Sequence, residues 1–388
     1  MKNEHFFEKR CKFPAPDNNS ELITTGYTGT AGYTGSFGYT GSINNIYVSG
    51  NGTFTSQSRR YCNYQPGKSL LFMASGVLNA GYTGLPNGNG VKSRIGYFDD
   101  NNGTYFEYDN GLGYATIYLK NNGTLSTSVP QSDWNIDRMQ GYGSSGLNLD
   151  WSKAQLFVID LEWLGVGRVR YGFYANGKIN YCHQLTNINA LTSPYMQTAN
   201  LPIRYQIQGT TSVQGSLTQI CSTVISEGGY NPIGRPFSVP LTGKTIPASE
   251  TPIFSLRADT SSSNYKHQNI IPNELQFLTT GTNDNLVYRI YYYPAPASPG
   301  ITGWVNVDST YSISQYSSAT AGFTGSGGIL VNSGFAAGKS STSLNNLSDI
   351  FTGLIDITSN INNVSDVITV TISGSGTTNF SFSWFEID

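Results

Sequence analysis

Between Leu156 and Phe173 the chain spells out a β-hairpin. Phe157, Ile159, Leu161 and Trp163 alternate with Val158, Asp160 and Glu162; after Leu164-Gly165-Val166, the residues Val169, Tyr171 and Phe173 alternate with Arg168 and Arg170. An apolar residue at every second position marks a strand with one face buried. A three-residue loop sets Leu161 opposite Val169, Ile159 opposite Tyr171 and Phe157 opposite Phe173. The same register sets Glu162 opposite Arg168 and Asp160 opposite Arg170, each such pair contributing about 0.2–1 kcal/mol. A slip of one residue turns the apolar set to the wrong face and unmatches both charge pairs, so the register is tightly specified.

The same period recurs along most of the chain. Ser69 to Val77, Ser93 to Phe98, Thr104 to Tyr108 and Tyr114 to Leu119 read as short strands, with turns at Asn102-Gly103 and Asn122-Gly123. Asn176-Gly177 turns the hairpin on towards Ile179 to His183. Further strands are predicted at Ile253 to Ala258, Leu275 to Leu278, Leu286 to Tyr293 and Trp304 to Ile313. At the end of the chain Ile368, Val370 and Ile372 alternate with threonines, and Phe380, Phe382 and Trp384 with serines; pairing them across Ser375-Gly376-Thr377 puts all six apolar groups on one side. Only 12% of the residues are charged, against about a quarter in an average globular chain, while Gly (44) and Tyr (26) are abundant. The predicted fold is all-β, with two antiparallel jelly-roll-like β-sandwiches in series at 59–230 and 237–388 and a joint at 231–236.

Residues 1–25 read as an N-terminal arm broken by Pro14 and Pro16, without the apolar stretch of a secretory signal. From 26 to 43 every third residue is glycine (Gly26, Gly29, Gly32, Gly35, Gly38, Gly41), separated by Tyr-Thr, Thr-Ala and Ser-Phe pairs. Glycine at every third position is what a collagen triple helix requires, because only glycine fits at its axis. With no proline in the triplets, a flexible Gly-rich stalk is the alternative reading. A triple helix makes the protein a homotrimer. Residues 44–58 then form a linker.

Chemistry has few places to reside. The formal net charge is −2 and the longest basic run is Arg59-Arg60, which argues against a nucleic-acid groove. No run of eighteen apolar residues offers a membrane span. Cys11, Cys62, Cys182 and Cys221 lack CxxC spacing and read as isolated buried thiols; with three histidines in the chain, no metal site or cofactor is predicted. His183 and His267 have no nucleophile at diagnostic spacing. Asp160 and Glu162 share a strand face, which resembles the Glu-x-Asp-x-Glu strand of laminarinase-like glycoside hydrolases, but Val158 stands at the first position. An arginine opposite each acid favours the ionised form, the reverse of what a general acid needs. The pairs Asp160–Arg170 and Glu162–Arg168 are therefore expected to be structural, and no catalytic residue is named. For glycan contact the candidates are the polar tip Asp99, Asp100, Asn101 and Asn102, with Trp134 as a stacking ring; a plain solvated turn is the alternative for the tip.

The stretches SRRYCNYQPGKSLLF (Ser58 to Phe72), RIGYFDDNNGTYFE (Arg94 to Glu107), DWNIDRMQGYGSSGLNLDWSKAQLFVIDLEWLGVGRVRYGF (Asp133 to Phe173) and YMQTANLPIRYQI (Tyr195 to Ile207) resemble structural proteins of tailed phages and large DNA viruses. IFSLRADTSSSNYKHQNIIPNELQF (Ile253 to Phe277) resembles the second module of the same proteins, and the Gly-Tyr-Thr-Gly triplets are similar to collagen-like stretches in virion proteins. The resemblance implies a lectin-like jelly roll as the first domain and a place in the virion, on the capsid or tail surface. The expectation is a non-enzymatic homotrimer serving as fibre, decoration or minor capsid protein, docked on other virion proteins through residues 1–25. The alternative is a receptor-binding lectin that recognises host-surface glycans.

Overall fold

The computed structural model describes residues 20–25, 34–40, 43–58, 61–83, 90–209, 213–229, 234–261, 269–279, 281, 284–337, 342–346, 356–360 and 364–387. The chain divides into two compact units, Met1–Tyr230 and Asn231–Asp388. Among the described residues all regular structure is β, apart from one 3-10 turn at Gln131–Asp133. Each unit is a β-sandwich.

The first unit contains β1 (Ser20–Thr25), β2 (Thr34–Thr40), β3 (Ile43–Ser49), β4 (Gly52–Ser58), β5 (Ser69–Thr83), β6 (Lys92–Phe98), β7 (Gly103–Asp109), β8 (Tyr114–Asn121), β9 (Thr124–Pro130), β10 (Gln155–Leu161), β11 (Val169–Ala175), β12 (Lys178–Leu185), β13 (Ile203–Gly209) and β14 (Gln214–Glu227). One antiparallel sheet runs β1-β4-β13-β6-β7-β8-β9 and the other β12-β11-β10-β5-β14-β3-β2. The β10–β11 register pairs Phe157 with Phe173, Ile159 with Tyr171, Asp160 with Arg170 and Leu161 with Val169, and the Glu162 N–H donates to the Arg168 carbonyl at 3.0 Å. Asn122 (φ 48°) with Gly123 (φ 79°), and Asn176 (φ 56°) with Gly177 (φ 78°), each place two successive residues in the left-handed region. That is the turn whose twist matches its flanking strands. Phe106 of β7 joins the two sheets: its ring centroid lies 5.4 Å from Phe157, 5.3 Å from Phe173 and 5.8 Å from Tyr171.

Several expectations are corrected here. Residues 44–58 are not a linker: β3 and β4 belong to the sandwich, with Ile46, Val48 and Phe54 buried in its core. Neither a triple helix nor a free stalk describes residues 34–40. Their backbone pairs with β3, Gly35 opposite Val48 and Gly38 opposite Asn45. A glycine every third residue does not forbid a strand, because Gly35 and Gly38 fall on opposite faces. Residues 26–33 and 41–42 lie outside the described residues. Of the expected arm, Ser20–Thr25 pair with β4 as an edge strand; residues 1–19 lie outside. Cys62 and Cys182 are buried thiols but Cys221 is exposed. Cys11 and His267 lie outside the described residues.

The second unit contains β15 (Arg235–Thr245), β16 (Thr251–Ala258), β17 (Asn269–Thr279), β18 (Asn285–Tyr293), β19 (Val305–Asn306), β20 (Ser314–Ser317), β21 (Ile329–Ala337), β22 (Thr342–Asn346), β23 (Val367–Ser375) and β24 (Thr377–Ile387). Its sheets run β15-β24-β17-β22 and β19-β20-β16-β23-β18-β21. The expected joint at 231–236 is shorter, since Arg235 and Pro236 already pair with β24. The expected strand at Trp304 to Ile313 is largely a turn, where Asp308 Oδ1 accepts the N–H groups of Thr310 and Tyr311 at 2.7 and 2.8 Å.

The final two strands bury all six alternating apolar residues, but not by pairing with each other. β23 lies between β16 and β18 in one sheet, and β24 between β15 and β17 in the other. Gly376 (φ 102°) is the single residue between them, too short a link for a hairpin, and it carries the chain across the sandwich. Apolar alternation is the same whether two strands are neighbours or face each other across a core. Phe254 of the first of these sheets then meets Phe380 and Phe382 of the second at 5.4 and 5.1 Å.

Phe106→Ala is expected to lower the unfolding free energy of the first unit by about 3–5 kcal/mol, as a cavity at the centre of a core does. Leu112→Ala, at an exposed turn position, changes it by under about 0.5 kcal/mol. Equal midpoint shifts in urea titration would contradict this account of the core.

Candidate functional site

The strand pair β10–β11 presents Asp160, Glu162, Arg168 and Arg170 on the sheet face opposite the core. The Asp160 side chain is 5% exposed, and its Oδ2 accepts from both the Nε (2.9 Å) and an Nη of Arg170. The Tyr181 hydroxyl donates to the same oxygen at 3.0 Å. The Arg170 guanidinium stacks 4.2 Å from the centre of the Tyr181 ring. Burial, then the adjacent Asp160 charge, pushes the Tyr181 phenol up to about 12, so it stays a hydrogen-bond donor at neutral pH. Glu162 pairs with Arg168 where both are partly exposed. Both acids are thus occupied by arginines, and Asp160 is locked in a closed trio.

The polar tip is a structural turn. Asp99 Oδ1 accepts the N–H groups of Asn101 and Asn102, both at 2.7 Å, the usual reason an aspartate opens a turn. The buried Asn102 Oδ1 accepts from the N–H groups of Asn122 (3.3 Å) and Gln197 (3.1 Å), tying the tip to two neighbouring segments. Asp100 is exposed and pairs with Arg204 at 2.6 Å. Asn101 is exposed, and its carbonyl accepts the Gly123 N–H at 2.7 Å. Trp134 is not a stacking platform. It is buried, with its ring 6.1 Å from Phe173 and 6.2 Å from Phe106 in the aromatic core. The structure does not bring it together with Asp99–Asn102.

Arg204 had no sequence signal, since Gln57 and Asp100 are distant in the chain; for Arg94 the available signal was Glu107, opposite it across the β6–β7 hairpin. Arg204 donates from Nε and Nη2 to Gln57 (2.9 and 2.7 Å) and from Nη1 to Asp100, with Phe98 5.3 Å below. Arg94 donates to Glu107 (2.6 Å), Gln206 (2.5 Å) and Gln208 (2.8 Å). Every guanidinium nitrogen of these two residues has a partner. They form a finished lattice, not a waiting pocket. Among the described residues no group of three or more His, Cys, Asp and Glu side chains could hold a metal ion. Among the described residues, too, no helix is long and apolar enough to cross a membrane.

The loop between β9 and β10 is held by backbone and side-chain hydrogen bonds. It is fastened to β12: the Ile136 and Asp137 N–H groups both donate to the Cys182 carbonyl (3.1 and 3.0 Å). The Asn135 N–H donates to His183 Nδ1 at 3.2 Å, so the neutral ring carries its proton on Nε2. Beyond this anchor Asp137 acts as a clamp, its Oδ1 accepting from the Met139 N–H (2.8 Å) and its Oδ2 from the Ser145 N–H (2.7 Å). Burial opposes ionisation of Asp137, but the bonds from Ser145 and Met139 outweigh it and hold the carboxyl below its ordinary range. The clamp closes a small hairpin, with Gly141 N–H to Leu147 carbonyl at 2.8 Å, Leu149 N–H to Met139 carbonyl at 3.1 Å and Gln140 bridged to Asn148. Tyr142 stands at its tip. The Gly-Tyr-Gly-Ser-Ser-Gly run was the available sequence signal for this turn.

Two tests follow from this geometry. Asp160→Asn should destabilise the first unit by about 1–3 kcal/mol, by leaving the Arg170 guanidinium without its counter-ion; Glu162→Gln, at the exposed pair, should cost under about 1 kcal/mol. Burial holds the His183 pKa below its unfolded value, so the unfolded chain takes up the proton first as pH falls. The stability due to neutral His183 is complete above about pH 6.5 and declines below it. Thermal unfolding of the wild type between pH 7.5 and 5.5 should therefore fall more steeply than that of His183→Gln. Parallel curves would refute the assignment.

No protein-family model matches the chain, and no curated protein matches it. Solved structures give loose likenesses. A protein of unknown function from Shewanella oneidensis MR-1 is 13% identical with a TM-score of 0.36, over 57% of this chain and 88% of that one. The metal-free carbohydrate recognition domain of Emp46p is 9% identical with a TM-score of 0.32, over 55% and 89%. A prokaryotic β-1,3-1,4-glucanase (lichenase) from a mouse hindgut metagenome is 9% identical with a TM-score of 0.29, over 53% and 99%. Similarity at that level carries no argument about site or activity.

Proposed function

We propose that this chain is a non-enzymatic structural protein of a virus particle, a self-associating fibre, decoration or minor capsid component that displays two β-sandwiches on the capsid or tail surface. The observation that supports the non-catalytic part is the pairing of Asp160 with Arg170 and of Glu162 with Arg168, which engages each candidate acid with a guanidinium group. The virion setting rests on the resemblance of residues 58–72, 94–107, 133–173 and 195–207 to virion structural proteins. Docking on other virion proteins falls to the segment preceding β1.

Self-association is supported by an edge of the second unit. The edge strand β15 carries Pro236 and Pro240, which blunt further strand pairing. The edge strand β21 has no proline and no charged residue, and it exposes Ile329, Leu330 and Phe335, the last at 80%. An uncharged apolar edge in a low-charge protein fits burial against other copies of the same chain, three in the proposed assembly.

A second reading, recognition of host-surface glycans by the first unit, is favoured by the uncharged, clamped hairpin at 139–149.

Full-length protein incubated with β-glucans, xylan and bacterial capsular polysaccharides should release no new reducing ends, and native mass spectrometry should give three copies. Cleavage that disappears in Glu162→Gln would make the chain a hydrolase. A monomeric mass that Phe335→Asp leaves unchanged would contradict self-association.

A further inference from the structure

Tyr142 is 98% exposed, the extreme among the exposed large hydrophobic side chains of the described residues. Single exposed apolar residues are common and usually mean nothing. What distinguishes Tyr142 is the support beneath it. Both Asp137 oxygens hold the loop on either side of the tip, and Met139, fully buried in the core, anchors its base. Gly143 packs so close to the clamp that a Cβ there would lie 1.9 Å from Asp137 Oδ1, and Gly141 adopts φ 85°. Both neighbours of Tyr142 must therefore be glycine. The consequence is a ring on a rigid hairpin with no side chain on either adjacent residue to cover its faces.

We propose that Tyr142 is a stacking platform for a neutral sugar ring, and that the amides of the exposed Gln140 and Asn148 read the hydroxyls at that ring's rim. The inference rests on the glycan reading of the first unit and deepens it by naming the site and the ligand class. A pyranose has one apolar C–H face bordered by hydroxyls, and the hairpin offers the complementary set. The exposed ring shares the hairpin with the exposed Gln140 and Asn148, and no acidic, basic or histidine residue occurs from 139 to 149. Within 139–149 an anionic ligand finds no cation; the exposed Arg138 immediately precedes Met139 in the chain. A protein hot spot would have an apolar ring sealed against water, whereas the hairpin positions flanking Tyr142 are polar or glycine. Pre-organisation lowers the ordering cost of binding, and a tyrosine has only two side-chain torsions to fix.

The test uses the full-length protein on an array of neutral and anionic glycans, with calorimetric titration of the hits. Tyr142→Ala should weaken binding of a neutral glycan about tenfold or more, Tyr142→Trp should retain it, and the unfolding temperature should not move, because the side chain is almost wholly in solvent. Wild-type and Tyr142→Ala proteins that bind the same glycan equally would overturn the hairpin assignment while leaving the glycan reading intact. A blank array for the wild type, or binding confined to anionic glycans, would overturn the proposal; the blank array would also remove the glycan reading. Loss of the native oligomer in Tyr142→Ala with unchanged glycan affinity would make the hairpin an assembly contact and overturn it equally.

Discussion

The first unit depends on the contact of aromatic rings between its two sheets. Phe106 projects from β7 and meets Phe157 and Phe173, which face each other across β10 and β11, while Tyr171 reaches across to share a 2.6 Å hydrogen bond with the Thr104 hydroxyl. Trp134 closes the same cluster from the loop side. Burial of such rings supplies most of the favourable free energy of a small β-sandwich, and their geometry leaves little freedom in how the sheets stack. The position of Trp134 in turn fixes where the following residues leave the core. That is why the segment after it can be fastened to β12 and built outward as a rigid hairpin.

A chain with so few charges has to place each of them. Those of the outer sheet faces of the first unit are spent on architecture: Arg170 on Asp160, Arg168 on Glu162, Arg94 on Glu107 and Arg204 on Asp100. Three of these arginines also take up glutamines or stack on rings: Arg94 binds Gln206 and Gln208, Arg170 stacks on Tyr181, and Arg204 binds Gln57 above Phe98. A side chain with all its donors satisfied resists displacement, because breaking one bond exposes a buried polar group. These pairs tie neighbouring strands of each sheet to one another on the face away from the core. In the loop after Trp134, by contrast, residues 139–149 carry no charge and the Tyr142 ring is open to solvent.

What could be read from the sequence was what is local. The register of β10 with β11 was legible because apolar and charged residues alternate within eighteen positions, and only one alignment satisfies both sets. The turns at Asn122-Gly123 and Asn176-Gly177 were legible because few residue pairs accept two positive φ angles in succession. The β23–β24 pair was misread because alternation reports which face is buried and not which strand lies alongside. The glycine triplets misled in a similar way, since spacing alone does not reveal that β3 offers residues 34–40 a pairing partner. Trp134 looked like a ligand-stacking ring because its burial depends on Phe106 and Phe173, which are far from it in sequence. Arg204 gave no signal for the same reason. Asp137 is a third such case: its role depends on Ser145, eight residues away, reached only once Gly141 and Gly143 let the chain fold back.

The central claim is that the first unit offers a rigid surface held by its aromatic core, and native-state hydrogen exchange tests it most directly. The amides of Met139, Ser145 and Leu149 are hydrogen-bonded within the clamped hairpin, so they should open only with free energies close to those of the Phe157 and Tyr171 amides in the central strands. Exchange of the hairpin amides at the rate of an unprotected loop, while the strand amides stay protected, would contradict it.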